Sequence, residues 1–361
     1  MPRVKKAVQF GFLMANIVAA CSLLDAESIK PMLSSNGNHT CALTTAGSVI
    51  CWGRNDNGQV NNGASGFNDV LTATAISGLT DRATWVAAGM SSTCAVTKLG
   101  AAQCWGIFSG TGVVAPVKGL EKGVTVVASG FSHHCALMST GAVLCWGYND
   151  HGELGNGTST ATLKPTVATG LEQGVKAISA SRYQTCALTS AGAVLCWGLN
   201  LNKVPTAIRG LPAHLIAIAA GTANTCAVTA EGAVWCWGAS LAAPQAVSGL
   251  PSGVTAISTQ DAQACALTRA GSVLCWVPGM PLAPKMVPGL DRDVTAISVG
   301  GEYACAVLSK GTVKCWGSND LGNLGVALSV KSSTTPVPVL GLKGVGELNL
   351  LTAGTESPAK R

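Results

Sequence analysis

The sequence predicts an all-β fold, a seven-bladed β-propeller of four-stranded blades, and three observations predict it. First, fourteen of the 15 cysteines fall into seven pairs of one fixed spacing, C-x9-C: Cys41/Cys51, Cys94/Cys104, Cys135/Cys145, Cys186/Cys196, Cys226/Cys236, Cys265/Cys275 and Cys305/Cys315. Second, an Ala follows every first Cys, a Gly stands six residues after it, and a Trp follows every second Cys, which uses seven of the nine Trp. Third, the units recur every 39 to 53 residues, long enough for four short strands with their turns. Small sheet-forming units repeated seven times close into a radial array; the alternative, a linear β-solenoid, usually has shorter units.

Within a unit the first strand is a run such as Val254–Ile257, the second is the Cys-Ala-Leu run, and the third passes through the second Cys and its Trp. A fourth, short run ends in Gly-Leu, as at Gly78-Leu79 and Gly289-Leu290. The Gly between strands two and three sits where a hairpin needs positive φ. Side-chain alternation puts each Cys and the following Trp on opposite faces of the strand.

Residues 1–20 read as a signal peptide, with Arg3, Lys5 and Lys6 ahead of an apolar stretch from Ala7 to Ala20 that is 14 residues long, too short to span a membrane comfortably. It ends Val18-Ala19-Ala20-Cys21, which resembles a bacterial lipobox with Cys21 as the lipidated residue; the alternatives are ordinary secretory cleavage nearby and a buried N-terminal strand or uncleaved anchor. Residues 21–34 are expected to be a tether, 35–354 the propeller and 355–361 a disordered tail. For ring closure, Val345 to Leu351 matches the spacing of a first strand, whereas Lys30 to Ser34 contains Pro31, which is disfavoured in central strands. The expectation is that the C-terminal run completes blade one.

Composition narrows the function classes. Charged residues are 11% and Gly is 44 of 361, the mark of a turn-rich globular chain rather than a disordered one. Removing the leader lowers the formal charge from +6 to +3 and leaves no Lys/Arg cluster, so no nucleic-acid footprint is expected. No phosphate-binding Gly loop and no nucleophile elbow occurs in the required context.

The pattern H-T-C-A-L-x-x-x-G-x-V-x-C-W-G-x-N-x-x-G-x-L-G, best seen in His39 to Gly58 and His134 to Gly155, resembles the regulator of chromosome condensation repeat. The resemblance covers nearly the whole chain after the leader and implies a seven-bladed propeller. Family members include a nuclear exchange factor for a small GTPase, domains of ubiquitin ligases and a secreted bacterial inhibitor of β-lactamases, so the resemblance speaks to fold more than to function. The paired Cys and the leader look like the bacterial exported branch. Blade six departs from the pattern with Val277-Pro278, and blades two, four, five and six lack N-x-x-G-x-L-G.

Placing Cys41 against Cys51 also sets Ala42 against Ile50 and Leu43 against Val49, so each Cys pair faces across adjacent antiparallel strands at a separation a disulfide can bridge. Seven intra-hairpin disulfides are expected. Reduced core thiols or a metal are the rivals, and C-x9-C lacks metal-ligand spacing. Cys21 is then left with a separate role, which lipidation fits.

Histidines and loop residues complete the candidates. His133 and His134 form the sole His pair, but the corresponding positions hold His39, Ser92, Gln184 and Tyr303, which points to structural hydrogen bonding rather than catalysis. His151 is expected at the surface, and the repeated Trp in the blade-to-blade core. Asp56, Asp150 and Asp320 each lie in N-D-x-G, able to bind a cation or a partner, or simply to form turns. The gap from the second Cys to the Gly-Leu is 27, 15, 25, 14, 13, 14 and 26 residues in blades one to seven. Blades one, three and seven therefore carry long loops, and loops on a rigid scaffold are where binding usually lives. The candidate partner-binding residues are Arg54, Asn55, Asp56, Tyr148, Asn149, Asp150, His151, Asn319 and Asp320; the competing account is that these loops are self-packed turns.

Together these features lead to an exported protein-binding propeller, a monomeric cell-envelope lipoprotein of the outer membrane or periplasm, or a secreted protein, acting through protein–protein contact, with enzyme inhibition as a special case. No cofactor, metal or nucleic acid is expected, membrane contact only through an N-terminal lipid, and no catalysis. The alternatives are a propeller enzyme of lyase or glycosidase type, which needs clustered carboxylates, and a guanine-nucleotide exchange factor.

Overall fold

The computed structural model describes residues 29–60, 68–107, 112–238 and 241–342. The leader over 1–20, Cys21, the run Val345 to Leu351 and the tail 355–361 lie outside the described residues. Among the described residues every regular element is a strand, and the strands form seven separate four-stranded antiparallel sheets. In each sheet the strands lie side by side in chain order. The chain is therefore a seven-bladed β-propeller. The first strands line the axis and pack consecutively round it, and the first strand of blade seven, Val294–Val299, returns against that of blade one, Met32–Asn36.

Register within each blade follows the Cys pattern. Cys41 lies opposite Cys51, flanked by Ala42 opposite Ile50 and Leu43 opposite Val49. The other six hairpins repeat it, setting Cys94 opposite Cys104, Cys135 opposite Cys145, Cys186 opposite Cys196, Cys226 opposite Cys236, Cys265 opposite Cys275 and Cys305 opposite Cys315. The expected pairing holds in every blade: the disulfides are Cys41–Cys51, Cys94–Cys104, Cys135–Cys145, Cys186–Cys196, Cys226–Cys236, Cys265–Cys275 and Cys305–Cys315, with Cα atoms 4.0 to 4.1 Å apart. The hairpin glycine is required twice over. Gly141 has φ +82°, and a Cβ there would stand 2.7 Å from Gly174 N of the next blade, while its carbonyl accepts a hydrogen bond from Val175 N at 3.1 Å.

Blade-to-blade bonding follows a rule visible only in three dimensions. At five of the seven junctions the residue two before the first Cys reaches the residue one before the first Cys of the next blade; at the other two the receiving position holds Ala264 or Ala304. His39 Nε2 meets Thr93 Oγ1 at 2.8 Å, His133 Nε2 meets Thr185 Oγ1 at 2.9 Å, and Gln184 Nε2 donates to Thr225 Oγ1 at 3.0 Å. Ser92 Oγ meets His134 Nε2 at 3.1 Å in the same way. Tyr303 closes the circle, its hydroxyl 2.8 Å from Thr40 Oγ1.

Ring closure corrects one expectation. The first strand of blade one is Met32–Asn36, paired along its length with His39–Leu43, so the N-terminal side supplies it and the place assigned to Val345 to Leu351 is filled. The tether boundary moves accordingly, because Met32, Leu33 and Ser34 belong to the blade. Pro31 precedes this strand rather than lying within it, and the strand is the edge of its sheet, where a missing N–H costs no ladder bond. Closure is by side-by-side bonding of blades seven and one: Gly301 N donates to Gly37 O at 2.7 Å and Ser35 N to Ser298 Oγ at 2.8 Å.

Candidate functional site

Because strands alternate direction, the turns between first and second strands and the connections between third and fourth strands share one face. The backbone ties them together: Arg54 N donates to Asn38 O at 2.9 Å, and Tyr148 N to Ser132 O at 2.8 Å. All the long loops of blades one, three and seven emerge here.

Each long loop is built on one asparagine. Asn55, Asn149 and Asn319 are buried, and their Oδ1 atoms accept from Val60 N, Leu154 N and Leu324 N, each at 2.9 Å. Their amide groups donate to backbone carbonyls further along, to Asn68 O, Thr160 O and Val330 O at 3.2, 3.1 and 2.8 Å. The aliphatic residues so positioned, Val60, Leu154 and Leu324, are fully buried beside the Trp of the following blade. The carbonyl just before each one accepts that Trp's indole N–H: Trp105 Nε1 to Gln59 O at 2.8 Å, Trp197 Nε1 to Glu153 O at 2.7 Å, and Trp52 Nε1 to Asn323 O at 3.0 Å. Gln59 O and Glu153 O also take the hydroxyl protons of Thr93 and Thr185 at 2.8 and 3.2 Å. Each long loop is thus a cap on its neighbour.

Three of the nine candidate residues are corrected by this geometry. Asn55, Asn149 and Asn319 are buried with their amides committed to their own loops, so they hold the loops in shape and present nothing to a partner. Arg54 and Asp56 pair with each other at the surface. Burial pushes the Asp56 carboxyl up, but hydrogen bonds from Arg54 and Gln59 outweigh it and hold it below its ordinary value. Asp320 bonds Ser318 Oγ at 3.1 Å. Asp150 accepts from the Tyr148 hydroxyl, which with partial desolvation pushes that phenol up to about 12. The three aspartates sit in separate loops, and among the described residues no three metal-ligating side chains converge.

His39, His133 and His134 are buried, and burial drives each from 6.5 down to about 3. They are neutral near neutrality. Since Thr93 and Thr185 give their protons to loop carbonyls, His39 and His133 must donate through Nε2.

Beside the candidates His151 and Tyr148 on this face stand three residues that sequence reasoning missed, Phe131, Arg182 and Tyr183. Phe131 and Tyr183 lie 5.7 Å apart, ring centre to ring centre, and His151 meets Tyr183 edge-on at 5.1 Å. The Arg182 guanidinium lies 5.6 Å from the Phe131 ring and 5.1 Å from that of Tyr183. All four are partly exposed, and Tyr148 stands nearby on the blade-three loop at 38% exposure. A signal existed: the chain has five Phe and three Tyr, and Phe131 and Tyr183 occupy turn positions where the equivalent residues of the other blades are all non-aromatic.

Repeats of the regulator of chromosome condensation (RCC1) type match over residues 33–59, 124–153, 175–202, 215–240 and 294–323, and a related model of the same repeat matches 140–188. Among solved structures, human WBSCR16 superposes with a TM-score of 0.71 at 19% identity, over 81% of this chain and 93% of that one. Prp20p from Saccharomyces cerevisiae, studied for its binding to Gsp1p and histones, gives 0.69 at 16% identity, over 87% of each chain. The CRINKLY WD40 ectodomain of the Arabidopsis thaliana receptor kinase ACR4 gives 0.52 at 21% identity, over 80% of this chain and 95% of that one. At such identities the likeness is one of fold.

Proposed function

From the premise that this chain belongs to the regulator of chromosome condensation repeat family, we propose that it is an exported propeller that binds a protein partner through the face of the long loops. The observation that carries this is the partly exposed cluster of Phe131, Tyr148, His151, Arg182 and Tyr183. Aromatic side chains and arginine are the residues that dominate binding energy at protein interfaces. They stand here on a scaffold braced by seven disulfides, which suits an oxidising compartment. The same disulfides weigh against nucleotide exchange in a reducing cytosol. Binding is preferred to catalysis because the buried histidines are held neutral by burial and bonded to neighbouring blades, not presented to a substrate.

The test is affinity capture from the native cell envelope, comparing the parent chain with the Tyr148→Ala/Tyr183→Ala double variant and with Leu99→Ala, which alters an exposed hairpin residue at the opposite face. Loss of the captured partner in the double variant alone is expected. Equal capture by the parent and the double variant would overturn the assignment of this face. Mass spectrometry of the mature N-terminus tests export and lipidation, with a diacylated Cys21 as the expected species.

A further inference from the structure

The three long loops show what a blade's Trp seeks above it, and blade four supplies none of it. Its connection is a tight turn, with Leu201 N bonded to Gly198 O at 2.9 Å and Asn200 at φ +60°. No loop crosses to blade five. Over Trp237 lies instead a cavity of about 620 Å³, the size of a ligand pocket. Trp237 is 8% exposed, and its indole N–H has no counterpart to the loop carbonyl that receives Trp52, Trp105 and Trp197. Thr225, buried beside it, accepts from Gln184 Nε2, but the carbonyl that takes the hydroxyl proton of Thr93 and Thr185 in the equivalent places is missing. Two donors therefore converge where one acceptor oxygen belongs. The walls include the apolar residues Leu201 and Ile208, a surface against which an aliphatic side chain can pack. The charged residues on the lining are Arg182 and Arg209, with no carboxylate among them, and Arg182 Nε is buried without a hydrogen-bond partner.

We propose that this slot between blades four and five receives a turn from the protein partner, one that delivers a backbone carbonyl to Trp237 and Thr225, an aliphatic side chain to the apolar wall, and acidic flanks to Arg182 and Arg209. The partner completes the propeller as the chain's own loops do at blades two, four and one. The slot shares Arg182 and Tyr183 with the aromatic cluster, so the assignment rests on this face being the protein-binding one and names what it recognises.

The test uses a synthetic probe instead of the natural partner, so its failure is distinct from failure of the capture experiment. The probe is a head-to-tail cyclised peptide carrying the blade-three loop sequence of residues 148–156, with acidic residues at 150 and 153 and the aliphatic residue at 154, titrated into the oxidised full chain by isothermal calorimetry. Saturable one-to-one binding is expected, and a peptide with Asp in place of that Leu should not bind. Trp237→Phe keeps the ring packing and removes one donor, and should weaken binding about fivefold to tenfold. Leu201→Asp, at a rim residue 40% exposed, should abolish it and serves where Trp237→Phe fails to fold. Absence of binding at millimolar peptide, or binding indifferent to both substitutions, overturns the inference. A protein dimer in sedimentation that the peptide dissociates would assign the slot to a second copy of this chain and overturn it equally.

Discussion

Replacing Asn149 by Ala tests whether the long loops are held from within. The Asn149 side chain is fully buried, accepts from Leu154 N at 2.9 Å and donates to Thr158 O and Thr160 O at 3.2 and 3.1 Å. Truncation strands the buried Leu154 N–H, whereas the two carbonyls belong to exposed residues and can turn to water. A buried donor left without a partner costs about 1–3 kcal/mol. The loss also loosens Leu154 and the Glu153 carbonyl, which together seat Trp197, so a total of about 2–3 kcal/mol is expected. The neighbouring Asp150 is exposed and bonds only the exposed Tyr148 hydroxyl, so Asp150→Ala should stay within about 0.5 kcal/mol. Urea unfolding of the oxidised protein gives the two differences. Native-state hydrogen exchange gives the local effect, with the Leu154 amide losing protection only in the Asn149 variant. Equal and small costs for the two substitutions would refute the internal anchor and return Asn149 to the partner-facing surface.

Deleting residues 343–361 should leave the melting temperature within about 2 °C of the parent, because blade one takes its first strand from Met32–Asn36; a drop of several degrees in calorimetry would restore a role for the C-terminal run in closure. Acid should destabilise the fold early. His39, His133 and His134 fall from 6.5 to about 3 on folding, so the unfolded chain binds more protons throughout that window. Stability is full above pH 6.5 and falls toward pH 3 by on the order of 1 kcal/mol per pH unit for each histidine; denaturant midpoints that do not move between pH 7 and 5 would contradict this. Thiol titration in denaturant without reductant should find none of the fourteen paired cysteines, and fourteen free thiols would reject the disulfide map.

What the amino-acid sequence determined by itself is everything that repeats within a blade. The seven hairpins, the opposition of Cys41 to Cys51 and its equivalents from Cys94–Cys104 to Cys305–Cys315, the glycine between them and the all-β class were legible because their partners lie ten residues apart and the same spacing recurs seven times. The structural role of His133 was legible for the same reason, since Ser92, Gln184 and Tyr303 stand at its place in other blades and hydrogen-bond equally well. Relations between blades were decided only by the tertiary structure. Asn149 and Asp150 are adjacent in one turn motif, yet one is buried and the other exposed. A turn-forming side chain satisfies its own backbone in either case, so the motif does not say which. Closure by Met32–Asn36 depended on Pro31 falling one residue outside an edge strand. The cluster of Phe131, His151, Arg182 and Tyr183, and the open seat over Trp237, bring together residues from neighbouring blades. Sequence separations of some 20 to 55 residues carry no distance of their own until the sheets are arranged around the axis. Side-chain alternation and hairpin pairing act along and across adjacent strands, but the packing of one blade's loop on the next blade's tryptophan is a contact between sheets, and only the closed ring sets it.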